Sequence, residues 1–510
     1  MKFTIIAIFS ASIGLTIASP NGDGGGGHNS GHGKPSKPLP LVTSTELRRT
    51  ISSRALLDHA NKFVGFSKLS DGTRAFGSKG HNASVDYIKK SLDKTGYYDT
   101  QLQTFSYLFS EGTAQFSAGG VSYTTGWFTY GPAGLVEAPI VVVNDLGCVL
   151  EDYPATVVGS IALIKRGSCE FGLKVALAGA AGAAGAIIYN NVDGAVTGGT
   201  LSQITRPDVG PYVPIGSISG VDGNALVTRI SAGELVIGNL DVDAVNEDRF
   251  TSNVLATSKG GDKNNLVFAG GHTDSVPAGP GINDDGSGTI GLLEIALQLP
   301  KWSVKNAVRF GFWTAEEYGL VGSEHYVASL SEAERAKVAL YLNFDMIASP
   351  NYGYFIYDGD GSAFNLTGPP GSEHIEKVFE DYFKSQKITS GPTQFNGRSD
   401  YGPFLDVGIP AGGLFTGAEG VKTAEQAAWW GGQADVAYDV CYHKGCDGIS
   451  NLNVKAFVEN TKAAAHSIAT YARSLAGIPR AAGKREVVTR EQLPHDQRRH
   501  QACGHELPAL

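Results

Sequence analysis

The 510-residue sequence predicts an α/β fold: a central, mostly parallel mixed sheet flanked by helices, with a second, β-rich domain inserted into it. Three observations carry that prediction. Apolar runs of strand length at 266–269, 308–313 and 339–344 alternate with helical stretches. Each run leads into acid or imidazole: His272 after the first, Glu316 and Glu317 after the second, Asp345 after the third. Between 119 and 243 the texture shifts to small residues and short buried strands, with no cluster of candidate ligands or nucleophiles.

In chain order, 1–19 reads as a secretory signal peptide: Met1-Lys2, an apolar core, then Ala18-Ser19. Residues 20–44 are a Gly, Ser, Pro, His and Lys linker or pro-segment, too polar to pack; His28 and His32 are read as solvated. The first part of the main domain, 45–118, opens with a helix carrying Leu47, Ile51, Leu56 and Phe63. A second helix is expected through 84–92, capped by Asn82 or Ser84, and then a strand at 101–107. The insert, 119–243, shows strands at 140–143, 161–164 and 186–190 and a small-residue helix at 171–180. The main domain resumes over 244–478, with a further strand at 353–357 and amphipathic helices at 372–385 and 454–475. Residues 479–510 form a polar tail rich in Arg and His, expected to be disordered or processed.

A net charge of −9 argues against a nucleic-acid surface. No later apolar run reaches the roughly 20 residues needed to span a bilayer, so no membrane anchor is expected. The destination is the extracellular space, with a vacuolar or lysosome-like compartment as the alternative. Five cysteines fit an oxidising compartment. Cys441 and Cys446 are near enough to close a small loop, and Cys148 and Cys169 share the insert and could pair. Free buried thiols are the alternative, and Cys503 is left over. Asn82-Ala83-Ser84 and Asn365-Leu366-Thr367 are glycosylation sequons.

In an open α/β sheet, sites form beyond the carboxyl ends of the strands, so these acidic and imidazole side chains are expected in one crevice. Asp284, in a glycine-loosened turn, and His443, in the Cys441–Cys446 loop, would join them. Two histidines and the carboxylates of Asp284, Glu317 and Asp345 meet the needs of two zinc ions: one imidazole and one terminal carboxylate each, plus a bridge. Glu316 is then spare, where a general base for metal-activated water belongs. Asp274, two residues past His272, can take the imidazole's other N–H. Taken singly, the Glu pair reads equally as a solvated face and Asp345 as a helix cap.

Gly271-His272-Thr273-Asp274, Asn283-Asp284-Asp285-Gly286-Ser287-Gly288, Ala315-Glu316-Glu317, Asn343-Phe344-Asp345-Met346 and Tyr442-His443 together resemble the motif set of the co-catalytic dizinc aminopeptidases. The nearest resemblance is to secreted fungal leucine aminopeptidases and the vacuolar aminopeptidase Y type, over about residues 45–475. It implies a zinc aminopeptidase fold of the phosphorylase/hydrolase-like kind and two Zn2+ per subunit. His272 and Asp345 would hold one ion, Glu317 and His443 the other, and Asp284 would bridge them. It also implies Asp274 behind His272, Glu316 as general base and Tyr442 steadying the tetrahedral intermediate. The insert resembles a protease-associated domain, which some members carry. Arg398, in Gly397-Arg398-Ser399-Asp400, resembles the family's substrate-side loop; a surface salt bridge is the other reading.

The implied reaction removes the first residue, apolar and Leu-like, from peptide and protein N-termini. The alternatives are a single-zinc glutaminyl cyclase, a related carboxypeptidase and an inactive binding relative.

Overall fold

The computed structural model describes residues 38–196, 199–202 and 204–480. The expected signal peptide, the linker up to 37, the tail from 481 and Cys503 lie outside the described residues. From Leu39 on, the chain makes one unit.

Strand Asp262–His272 lies at the heart of the sheet, parallel to Asn306–Trp313 on one side and to Val338–Phe344 on the other. Its last seven residues are buried, as is every residue of Val338–Phe344. Continuous apolar runs of this kind belong to strands covered on both faces. One face packs against Leu56, Phe63, Ile290, Leu293, Phe457 and Ile468, from helices Ser53–Ser67, Gly286–Gln298 and Val454–Arg473. The other carries Trp313, Tyr326, Tyr341 and Phe404, with Tyr341 and Phe404 stacked at 3.8 Å. Outward from Val338–Phe344 follow Ala411–Phe415, Phe355–Tyr357 and Gly391–Thr393.

The first helical run divides into Ser44–Arg49 and Ser53–Ser67, because Ser52 turns out of the helix and caps the second piece. The next helix is Lys79–Asp93, capped by Ser78; Asn82 and Ser84 therefore lie inside its first two turns rather than at its cap. Asn82 is exposed, and Asn365 sits at φ 59° in an exposed loop.

The expected strand at 101–107 is only the start of a longer one. Tyr98–Ala118 pairs antiparallel with Ile237–Ser258 along its whole length, from Tyr98↔Ser258 to Ala118↔Gly238. At one end this ribbon joins the central sheet through Phe312↔Val254; at the other it joins the insert through Pro139↔Ile237. Residues there alternate between buried and exposed, with polar side chains outward, so no continuous apolar run marks the full length.

Beyond the ribbon, Gly134–Val142, Ile161–Lys165, Gly185–Tyr189 and Ile215–Ile218 form a parallel array. Helix Phe171–Ala180 matches its predicted span, whereas strand Ile215–Ile218 and helix Gly220–Ser231 have no counterpart in the sequence reading. Cys148 and Cys169 are joined. No helix among the described residues is long and apolar enough to cross a membrane.

Candidate metal centre

Four segments converge beyond the carboxyl ends of the central strands. His272 is the last residue of its strand, and the following N–H, of Thr273, donates to the Trp313 carbonyl at 2.7 Å. After Trp313, Ala315 passes through a left-handed conformation (φ 54°) into a single 3-10 turn, Glu316–Tyr318. The N–H groups of Glu316 and Glu317 donate to the two carboxylate oxygens of Asp274, at 3.1 and 3.4 Å. Asp274 thus clamps the turn that presents both glutamates. Asp345 directly follows its strand, and His443 comes from the loop closed by the Cys441–Cys446 disulfide.

Asp284 lies between the two imidazoles: Oδ1 is 3.3 Å from His272 Nε2, and Oδ2 is 3.1 Å from His443 Nε2. His443 Nε2 is also 3.0 Å from Glu317 Oε2. His272 Nε2 stands 3.7 Å from both Glu316 Oε2 and Asp345 Oδ1. One ligand atom each from His272, Asp284 and Glu317 falls within 4.8 Å, and so does one each from His272, Asp285 and Asp345. Every sequence-predicted ligand is therefore in one cluster, with Glu316 beside it.

The supports are specific. Ser399 Oγ donates to Asp345 Oδ2 at 2.6 Å and accepts from Asn343 Nδ2 at 2.8 Å. For His272 Nδ1 the nearer acceptor is the Asp274 main-chain carbonyl, at 3.2 Å; the carboxylate expected to take that N–H lies at 3.7 Å and holds the glutamate turn instead.

Burial opposes charge on His272, His443, Asp284, Glu316 and Glu317, and the pattern that results suits a cation. Burial would lower the His443 imidazole, yet Glu317 and Asp284 bring it up to about 10. His272 is likewise raised against its burial, by Glu316 and Asp345. Burial also pushes Asp284 upward, but hydrogen bonds from both imidazoles hold it below the usual carboxylate range. Glu316 is pushed well up by burial and by the charges of Asp345, Asp400 and Glu317. Protons here supply positive charge that divalent cations would replace. His272 Nε2 and Asp345 Oδ1 are buried with no hydrogen-bond partner, as atoms reserved for a metal would be. Imidazole nitrogen with carboxylate oxygen is a donor set for zinc rather than calcium, so the residues fit the implied metal.

Sequence reasoning missed the residues that hold these loops together. Arg74 is fully buried; its Nε donates to the Pro280 carbonyl at 2.7 Å and its terminal nitrogens to the carbonyls of Thr273 and Gly281. It so ties the His272 loop to the Asp284 loop. A lone arginine in a Gly- and Ser-rich loop has no periodicity to single it out. Asp447 accepts from the N–H groups of Asn283 and Asp284 at 2.9 and 3.1 Å, anchoring the His443 loop to the Asp284 loop. Its place next to Cys446 was the available signal.

A cleft opens from the cluster, with Met346, Tyr357, Phe415 and Ala418 among its apolar walls. Arg398 and Tyr442 also line it. Arg398 pairs with Glu419 at 2.6 Å, while its other terminal nitrogen lies 3.3 Å from the Tyr442 hydroxyl. The Tyr442 ring stacks on His443 at 3.8 Å.

Residues 253–468 match Peptidase family M28, and residues 136–226 match the PA domain. The chain is 51% identical over 461 residues to a probable leucine aminopeptidase 2 of Aspergillus fumigatus, covering 90% of this chain and 91% of the relative. It is 46% identical over 471 residues to leucine aminopeptidase 2 of Arthroderma otae, covering 91% and 93%. Among solved structures it is similar to an aminopeptidase from Aneurinibacillus sp. strain AM-1, with a TM-score of 0.64, 26% identity and coverage of 88% of this chain and 99% of that one. It is also similar to BSAP, a zinc aminopeptidase from Bacillus subtilis, with a TM-score of 0.55, 25% identity and coverage of 85% and 95%.

Proposed function

This chain belongs to peptidase family M28, as a relative of the fungal leucine aminopeptidases, and from that premise we propose how its residues release the first residue of a peptide. The chain is a zinc aminopeptidase. The finer reading is a two-zinc centre: His272 and Asp345 at one ion, Glu317 and His443 at the other, Asp284 between them. The single observation that carries it is Asp284 with one oxygen toward each imidazole, at 3.3 and 3.1 Å. A carboxylate so placed has the geometry of a bridge.

Zinc, when bound, supplies Lewis acidity, polarising the scissile carbonyl and making water a nucleophile near neutral pH. The chain's own residues do the rest. The excess of buried carboxylates favours a substrate ammonium, hence a free N-terminus over a blocked one. Glu316 takes the proton of the attacking water and hands it to the leaving amine. Beside the ligands but not among them, its carboxylate is placed to hold that proton between the two steps. Tyr442 donates from its hydroxyl to the oxygen that gains charge, and Arg398, behind it, faces the peptide on the leaving side. The apolar wall of Met346, Tyr357 and Phe415 receives a Leu-like first side chain. Residues 1–19 would direct the enzyme out of the cell.

The test is metal analysis alongside activity. Purified enzyme should carry close to two zinc ions, lose activity to a chelator, cleave Leu-p-nitroanilide and leave an N-blocked peptide intact. Full activity with one ion bound defeats the two-metal reading, and cyclisation of an N-terminal Gln peptide would point to the cyclase alternative.

A further inference from the structure

A second group of carboxylates stands where strand Phe355–Tyr357 ends. Asp358 follows that strand directly, Asp360 lies two residues on, and Glu376 reaches in from helix Ser372–Ser385. One oxygen from each falls within 4.8 Å of the others. Asp358 is wholly buried and Glu376 is 8% exposed, whereas Asp360 is exposed.

The loop is wound on these carboxylates in a particular way. Asp358 Oδ2 accepts from the N–H groups of Ala363 and Phe364, at 3.1 and 2.9 Å. Glu376 Oε2 accepts from those of Gly359 and Asp360, at 2.8 and 3.1 Å. Asp358 Oδ1 remains, buried and with no hydrogen-bond partner. A buried, partnerless carboxylate oxygen beside two more carboxylates is costly unless a cation meets it.

We propose that Asp358, Asp360 and Glu376 form a second cation site, sharing no residue with the cluster around His272 and built for calcium. Every donor side chain is a carboxylate, which suits a hard cation and gives zinc no nitrogen or sulfur. The exposed side at Asp360 leaves room for the waters that complete calcium's six to eight oxygens. The site would brace a wall of the substrate cleft, because Tyr357, which lines that cleft, immediately precedes Asp358 and stacks on Phe395 at 5.1 Å. It stands independently of how zinc is shared out in the catalytic centre.

Full-length, zinc-loaded enzyme is titrated with calcium by calorimetry and, in parallel, with terbium, whose luminescence tyrosines such as Tyr357 sensitise. The expected result is one saturable ion per chain, a dissociation constant below about 1 mM, and displacement of terbium by calcium, with the zinc content unchanged. Calcium at saturation should raise the unfolding midpoint by roughly three degrees. Asp358→Asn and Glu376→Gln should each weaken binding about tenfold or more, since each removes one charged ligand. Asp381→Asn, exposed on the same helix, should leave it unchanged. If Asp358→Asn does not fold, the Glu376→Gln and wild-type titrations decide. No saturable binding up to about 10 mM calcium, or equal binding by wild type and both variants, overturns the proposal.

Discussion

Two parallel arrays share one ribbon in this molecule, and one of them leads into the cluster of imidazoles and carboxylates. The central strands and those of the insert are alike in carrying continuous buried apolar runs. They differ in what stands around them. Beyond the central strands lie His272, Glu316, Glu317 and Asp345; the insert, from 119 to 243, contains no histidine at all. Two of its buried polar side chains, Lys174 and Asn190, are closed off by near neighbours. The Lys174 ammonium donates to the Leu146 carbonyl, and Asn190 accepts from Arg166 at 2.9 Å and donates to the Gly194 carbonyl at 3.1 Å. In the centre, by contrast, His272 Nε2 and Asp345 Oδ1 are left open. Strand texture thus reports the layer architecture, while the candidate site resides in the imidazole and carboxylate groups gathered beyond the strand ends.

The sharpest way to break that contrast is at Glu316. Glu316→Gln should lower activity by roughly two to four orders of magnitude with zinc content nearly unchanged. Glu317→Gln should lose zinc first, since an amide is a weak ligand. Metal analysis and turnover on the same preparations decide, and the opposite pattern exchanges the two roles.

Next in size is the support behind a ligand. Ser399→Ala removes the donor to Asp345 Oδ2 and should weaken zinc affinity about 10- to 100-fold, read by competition with a chelator. An unchanged affinity would mean that Asp345 needs no such support.

The two disulfides compare the regions directly. Cys148 and Cys169 close a loop with a separation of 21 residues inside the insert. Their replacement by Ser should cost about 3 kcal/mol in the insert's stability and leave zinc binding alone. Cys441 and Cys446 are 5 residues apart and hold His443 between them. Replacing that pair should cost less stability but loosen zinc. Equal effects on zinc from both pairs would erase the distinction between the regions.

The smallest effect is expected at the N-terminal boundary. Main-chain oxygens of Leu39 and Pro40 accept hydrogen bonds from Ser303, and Val42 is fully buried, so a useful truncation ends at 37. Removing 20–37 should move the unfolding midpoint by less than about 1 °C, whereas removing 20–44 should lower it clearly.

The places of His272, Glu317 and Asp345 were legible because each follows a strand marked by a continuous apolar run, whereas Asp284 and His443 lie in loops and were legible only through the motifs they share with a known family. The ribbon was not readable to its full length, because beyond Tyr107 the run Ser110, Glu111, Gly112 and Thr113 breaks the alternation of apolar and polar residues. Strand Ile215–Ile218 has four residues, too few for any period to register. The holding residues escaped for another reason. Arg74 acts through main-chain carbonyls, whose positions depend on the folded loops rather than on side-chain identity. Asp274 illustrates the same limit: its place near His272 was visible, but its grip on the glutamate turn depends on a backbone path that no spacing encodes.

The ribbon also bears on how the polypeptide is made. Ala118 and Gly238 face each other at its far end, so the intervening segment leaves and re-enters the rest of the chain at one place. Once that segment has folded, the two ends of the interruption are already side by side. The larger body then meets no more than a hairpin, instead of closing a loop of over a hundred residues. During synthesis the insert emerges before His272, Glu316, Asp345 or His443, and can complete itself while they are still unmade. The interruption therefore acts as a timer: amide protection along Ile161–Lys165 and Gly185–Tyr189 should appear in refolding before protection along Asp262–His272.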